Sequence, residues 1–139
     1  MPATIPKSHI DLVEGPYNAA LTTVMPDGQP QTTVVWCNTD GRHVLINTMR
    51  GFRKAKNMRA NPRVTLLIYD PKQPLRNIEI RGEVVEMMEE GAMEHLDELA
   101  VLYTGVAPYF GKVVPAELQE KEVPVKCKIL PKRVRVESA

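Results

Sequence analysis

Arg50, Arg53, Lys54, Lys56, Arg59 and Arg63 follow one another with no carboxylate between Met49 and Tyr69. Such a run repels itself unless something anionic sits on it. The surrounding stretch, N-T-M-R-G-F-R-K-A-K-N-M-R-A-N-P from 47 to 62, reads as a strand end, a glycine turn and a short basic helix. Gly51 lets the chain turn sharply after Thr48, so the amides of Phe52 to Lys54 form the first turn of that helix. Unpaired N–H groups at a helix start, together with the positive end of its dipole, hold phosphates. Phe52, Ala55 and Met58 recur as a buried stripe, leaving Arg53, Lys54, Lys56 and Asn57 on the flanks and outer face. Pro62 ends the helix at Asn61, because the residue before a proline disfavours helical backbone. A solvated basic helix is the competing reading; the strand and glycine ahead of it favour a phosphate site.

The elements that must hold this stretch are mostly strands. Ser8 is a candidate N-cap for a short helix through Ile10, Leu12 and Val13, ended by Gly15-Pro16. Residues 17–25 read as a strand, and Pro26-Asp27-Gly28-Gln29 as a turn into the strand 30–38. Its centre is β-branched and apolar, as for a strand covered on both faces. A two-residue Asp40-Gly41 connection leads to a strand over 43–48. Further strands are expected over 63–70, 77–88 and 123–130, the last extended by Val134 and Val136, with Gly82 marking a bulge or bend. Residues 90–104 carry Met93, Leu96, Leu99 and Ala100 at helical spacing. The segment 105–115, with Tyr109 and Phe110, reads equally as a lid or as a surface connection. Short strands with turn chemistry between them predict a closed or nearly closed antiparallel barrel.

Composition limits the choices. The chain has 139 residues, 43% of them hydrophobic, and a formal charge of +1. One domain, 1–139, is expected. A dedicated nucleic-acid binder carries a basic face on a basic domain, whereas here acids over 83–98 offset the basic run, so no nucleic acid is expected as partner. Stacking aromatics are also missing beside that run. Cys37 and Cys127 form no C-x-x-C pair and read as buried reduced thiols. Neither an apolar signal region nor a bilayer-length apolar stretch is present, which predicts a cytoplasmic protein without membrane association. No metal-ligand spacing, nucleophile elbow or Walker loop occurs, and no metal is expected.

The order D-G-Q-P before an apolar strand, D-G-R-H before a strand ending in N-T, then R-G-F-R-K-A-K-N-M-R-A-N-P-R-V and I-E-I-R-G-E-V, resembles the split-barrel superfamily of pyridoxamine-phosphate-oxidase-like proteins. Within it the resemblance is to the branch that uses coenzyme F420, an 8-hydroxy-5-deazaflavin. The match is good over 19–85 and loose in the last strand. It implies a mainly β, six-stranded antiparallel Greek-key split barrel with a few short helices, forming a homodimer with two cofactors in grooves between the subunits. It also implies site residues. Gln31, Thr33, Val34 and Val35 would lie along the ring, and Asn47 and Thr48 would meet the ribityl chain. Arg53 and Lys54 would hold the phosphate, with Asn57 beside them, and Asn77 would reach the ring from the other subunit. Phe52 stands where oxidase members have a phosphate-binding serine, which weakens the case for FMN, and the oxidases' substrate-binding tail is not visible in P-K-R-V-R-V-E-S-A.

The function implied is a reductase in which reduced coenzyme F420 passes hydride to an unsaturated or conjugated small molecule. Alternatives are an FMN-binding oxidoreductase or flavin reductase of the same fold, and a barrel that binds a cofactor without turnover. No catalytic acid is assigned: His9, His43 and His95 are isolated in sequence. Trp36, Tyr103, Tyr109 and Phe110 are candidates for an acceptor pocket, or for core.

Overall fold

A computed structural model describes residues 2–138. The elements are α1 (Ile10–Glu14), β1 (Ala19–Val24), β2 (Pro30–Val35), β3 (Cys37–Thr39), β4 (Val44–Met49), α2 (Arg53–Ala60), β5 (Arg63–Asp70), β6 (Gln73–Met88), α3 (Ala92–Thr104) and β7 (Pro124–Ser138), with a single 3-10 turn, Ala116–Glu120, before the last strand. All strands join one antiparallel sheet in the order β2-β1-β5-β6-β7-β4-β3. Its two outermost strands, β2 and β3, are consecutive in the chain and separated only by Trp36. A sheet whose margins are tied by one residue must curl until they meet. The result is a half-open barrel.

The expected strand over 30–38 therefore breaks at Trp36, giving seven strands rather than six. The β-branched run could not show this, because both halves are extended and only their partners differ. β2 pairs with β1, whereas β3 pairs with β4.

Alternation along the strands fills the interior. Leu21, Leu66 and Ile80 lie opposite one another across β1, β5 and β6 and are fully buried. Burying each such side chain contributes about 1.5–3 kcal/mol. Gly82 sits at a register shift between β6 and β7. A Cβ there would stand 2.7 Å from Ile129 Cγ2 and 2.8 Å from the Leu130 carbonyl, so the bend requires glycine.

Turn chemistry fixes the connections. Gly28 takes φ 90° and Asp27 Oδ1 accepts the Gln29 amide, as a hairpin turn demands. The β3–β4 connection is longer than the expected two residues: Asp40 Oδ1 accepts the amides of both Arg42 and His43. α1 is capped at His9 rather than Ser8, whose hydroxyl instead bonds the His9 ring. Cys37 and Cys127 are free and buried. Both lie opposite Ile46, on either side of β4, so two strand spacings, about 9.5 Å, keep them beyond disulfide reach. Burial pushes both thiols up to about 12. Among the described residues no helix is long and apolar enough to cross a membrane.

Candidate functional site

α2 begins where β4 ends, as the sequence requires, and stops at Ala60 with Asn61 as its C-cap. Two expectations about it fail. Gly51 does not use positive φ, and a Cβ there would meet nothing within 4 Å, so the turn is made with ordinary backbone. Phe52 is not part of the buried stripe: it is 43% exposed and caps the helix, while Ala55, Met58 and Asn57 turn inward. A helix laid across β1 needs small or flat side chains where it touches the sheet. Asn57 is accepted there because its Nδ2 donates to Thr23 Oγ1 at 3.0 Å, with Met25 Sδ and Gln31 Oε1 at 3.4 Å. The Phe52 amide is taken by the Met49 carbonyl. Among the described residues the amides of Arg53 and Lys54 remain as the open donors at the helix start.

Beside this helix start lies a cleft of about 190 Å³. Its walls are Val34, Val35 and Trp36 from the end of β2, Asn47, Thr48 and Met49 from β4, Phe52 and Lys54 at α2, Leu96 and Leu99 from α3, and Tyr109. Tyr109 is held in place because its amide donates to Asp97 Oδ1 at 2.8 Å and its ring meets Trp36 edge-on at 5.9 Å. Phe110, next to it, is buried with Met49 and Leu96. The segment is thus pinned to α3 and forms part of the wall.

The structure divides the expected site residues. Val34, Val35, Asn47, Thr48 and Lys54 line the cleft. Gln31 and Thr33 lie on the inward face of β2 and Asn57 is buried under α2, none of them on the cleft wall; Arg53 is exposed at the helix start. Asn77 is remote. It pairs with Glu137, while Thr48 pairs with Val125, and that stretch of β7 spans about 40 Å of extended chain. Within the chain its amide is spent on the Pro74 and Leu75 carbonyls. Met49, Leu96 and Leu99 were not legible as site residues, though their place on the apolar faces of β4 and α3 put them near it.

Four buried side-chain polar atoms lack a hydrogen-bond partner among the described residues: Thr33 Oγ1, Asn47 Oδ1, Thr48 Oγ1 and Asn57 Oδ1. Every one belongs to a residue expected to touch a cofactor. An unpaired buried polar group costs about 1–3 kcal/mol, so the two whose residues line the cleft, Asn47 and Thr48, favour it as the place for a polar ligand. Lys54 adds charge. It is half-buried, desolvation lowers its pKa, and among the described residues no carboxylate lies within ion-pair distance. Its Nζ rests 5.9 Å from the Phe52 ring centroid. Elsewhere in the basic run, Arg50 forms a bidentate pair with Glu89 at 2.6 Å, and Arg59 donates to the Arg50 carbonyl. Those two are occupied.

A larger concavity, about 610 Å³, opens on the outer face among Arg63, Arg81, Lys132 and Arg133. It contains none of the four orphaned atoms. The smaller cleft is the better candidate on chemistry.

Curled sheet, basic helix start and adjoining cleft together define a split barrel of the flavin and deazaflavin oxidoreductase type. A family model for pyridoxamine 5'-phosphate oxidase matches residues 5–125, and the chain belongs to that family. Among solved structures, an F420 reductase is 28% identical with a TM-score of 0.80, covering 94% of this chain and 98% of that one. A conserved hypothetical protein from Mycobacterium tuberculosis is 27% identical with a TM-score of 0.74, covering 99% of this chain and 86% of the other. No curated protein sequence matches the chain at a significant level.

Proposed function

We propose that this protein is a reductase that binds coenzyme F420 in the cleft between β2, β4 and α2 and serves hydride transfer to an unsaturated or conjugated small molecule. The observation that carries the reading is the pair of orphaned buried atoms on Asn47 and Thr48, residues of the cleft wall, beside a half-buried Lys54 that has no ion-pair partner among the described residues. The likeness to an F420 reductase supports it. When bound, the deazaflavin supplies the hydride from its C5.

The chain's own part is placement and exclusion of water. Lys54 and the open amides of Arg53 and Lys54 form charge-assisted bonds to a phosphate. Thr48 Oγ1 and Asn47 Oδ1 meet hydroxyls of the polyol chain. Val34, Val35 and Trp36 give the ring a flat apolar edge, and Tyr109 and Leu96 close the other side.

One chain encloses too little. Ligand pockets run to about 300–1,000 Å³, and this cleft is smaller. We infer that a second copy completes it, forming the homodimer and bringing its own Asn77 to the ring. The apolar outer row of Val34, Ala20 and Leu67, aligned across β2, β1 and β5, gives that copy a surface to pack on. Val34 is 67% exposed in the single chain. Free, buried thiols fit the reducing cytoplasm as its compartment.

FMN is the second reading, favoured by the match to the pyridoxamine 5'-phosphate oxidase family. Titrating purified protein with coenzyme F420 and with FMN, followed by absorbance and fluorescence, separates the two. Tighter binding of F420, and oxidation of its reduced form by a quinone, tetrapyrrole or enone, is the expected result. FMN binding alone would replace the first reading with the second, and binding without turnover across the panel would leave a cofactor-binding protein.

A further inference from the structure

His95 lies in α3 and is 2% exposed. It stands between two asparagines. Its Nε2 is 2.8 Å from Asn38 Oδ1 on β3, and its Nδ1 is 3.2 Å from Asn47 Nδ2 on β4. The protons in this chain of groups follow from one atom. The Ala92 carbonyl, 2.9 Å from Asn47, can only accept, so the asparagine must turn its Nδ2 toward it. The other hydrogen of that same Nδ2 then goes to His95 Nδ1, which must be the unprotonated ring nitrogen. Nε2 carries the proton and donates it to Asn38 Oδ1. Both donors of Asn47 are thereby consumed on the α3 side. Only its Oδ1 is left, buried and without a partner among the described residues, on a side chain whose residue lines the cleft.

We infer that Asn38, His95 and the Ala92 carbonyl lock the Asn47 carboxamide as an acceptor-only group, so that the cleft selects a ligand presenting a hydroxyl donor at that point. His95 is a positioning residue that acts through Asn47 without touching the ligand. The inference rests on the proposed flavin or deazaflavin reading for the ligand's identity, and it adds the device by which the polyol chain is recognised. A freely rotating carboxamide would offer N–H as readily as C=O and would give no such preference.

Two measurements test it. The first uses the ligand-free protein. Nitrogen-15 NMR of the His95 ring should show the neutral Nε2–H tautomer near neutral pH; the Nδ1–H form overturns the inference, whatever the protein binds.

The second compares riboflavin with lumiflavin, which has the same ring but only a methyl group at N10, and 8-hydroxy-5-deazariboflavin with its N10-methyl analogue. His95→Gln puts a carboxamide at the Nε2 position and keeps only the Asn38 contact. His95→Asn puts a carboxamide oxygen at the Nδ1 position and keeps the contact to Asn47. We expect H95Q to weaken the polyol-bearing ligand about tenfold, the scale of one hydrogen bond to a buried group, while the methyl analogue is unchanged and H95N recovers most of the loss. Equal loss for both ligands of a pair, or equal behaviour of H95Q and H95N, means that His95 serves packing alone and overturns the inference. If wild-type protein binds none of the four yet binds coenzyme F420 or FMN, this ligand assignment is overturned; if it binds neither of those two, the proposed function fails with it, and the tautomer result still stands on its own.

Discussion

The ring of Tyr103 stacks on that of Trp36, with centroids 5.1 Å apart and planes 15° from parallel. Its phenol oxygen also accepts the amide of Cys37 at 3.0 Å and donates to the Tyr17 carbonyl at 2.6 Å. One side chain from α3 thus braces the single residue at which the sheet's two margins join, satisfies the amide of the residue after it and ties both to the chain ahead of β1. Burial raises the phenol's pKa further, so it stays protonated as a donor throughout the ordinary range.

Tyr103→Phe keeps the stacking and removes the hydroxyl, leaving the Cys37 amide without its partner. The expected loss is about 1–3 kcal/mol of stability, read from urea unfolding. A change near zero would show that water replaces the hydroxyl and that the brace is aromatic only.

Lys54→Ala should weaken cofactor binding by about 1–3 kcal/mol, because a charge-assisted bond in a partly desolvated site is lost. Arg53→Ala, exposed and off the cleft wall, should cost less. Titration that finds the reverse order would move the phosphate outward along the helix.

His95 gives a pH signature. Burial and the nearby Lys126 lower its pKa from 6.5 to about 4. In the unfolded chain the ring takes a proton near 6.5, whereas the folded chain resists until about 4. Stability is therefore full above 6.5, declines as pH falls through that window, and has lost this contribution by about pH 4. The expected loss is of order 2 kcal/mol. Asp40, held down to about 2 by the His43 and Arg42 amides, titrates below this range and does not blur it. In H95N the decline between 6.5 and 4 should largely vanish from the urea midpoints.

Val34→Asp places a charge in the middle of the exposed apolar row on β2, β1 and β5. Sedimentation should show a dimer for the wild-type chain and a monomer for the variant, with cofactor affinity falling in parallel. A wild-type monomer that binds cofactor at full affinity would remove the second copy from the site.

Gly82→Ala pushes a methyl group against Ile129 and the Leu130 backbone at under 3 Å. Backbone cannot yield as a side-chain tip can, and the expected cost is about 1–3 kcal/mol, seen as a lower unfolding midpoint.

Much of this architecture was legible in the amino-acid sequence. Apolar alternation placed β5 and β6, Pro62 ended α2 one residue from where it stops, and Asp27-Gly28 announced the first hairpin. Extended chain at Trp36 hid the break between β2 and β3, because a strand's partner is not written in its own residues. Helical spacing misjudged α2 for a related reason: it assigns faces from apolarity, so Phe52 was placed inside and Asn57 outside. Tertiary packing reversed both, giving the amide three acceptors beneath the helix and leaving the aromatic ring beside the cleft. The contacts of His95 were invisible because its partners, Asn38 and Asn47, are distant in sequence and come together only through the β3–β4 pairing.

Trp36 leaves the barrel no slack. Side chains in β2 alternate between interior and solvent, so inserting or deleting one residue at this position must either slide β3 along β4 or exchange the faces of Gln31, Thr33 and Val35 with those of Thr32 and Val34. Length at this spot is therefore as tightly constrained as chemical identity is elsewhere, and libraries that vary loop size should spare it and place their changes in the 40–43 turn instead.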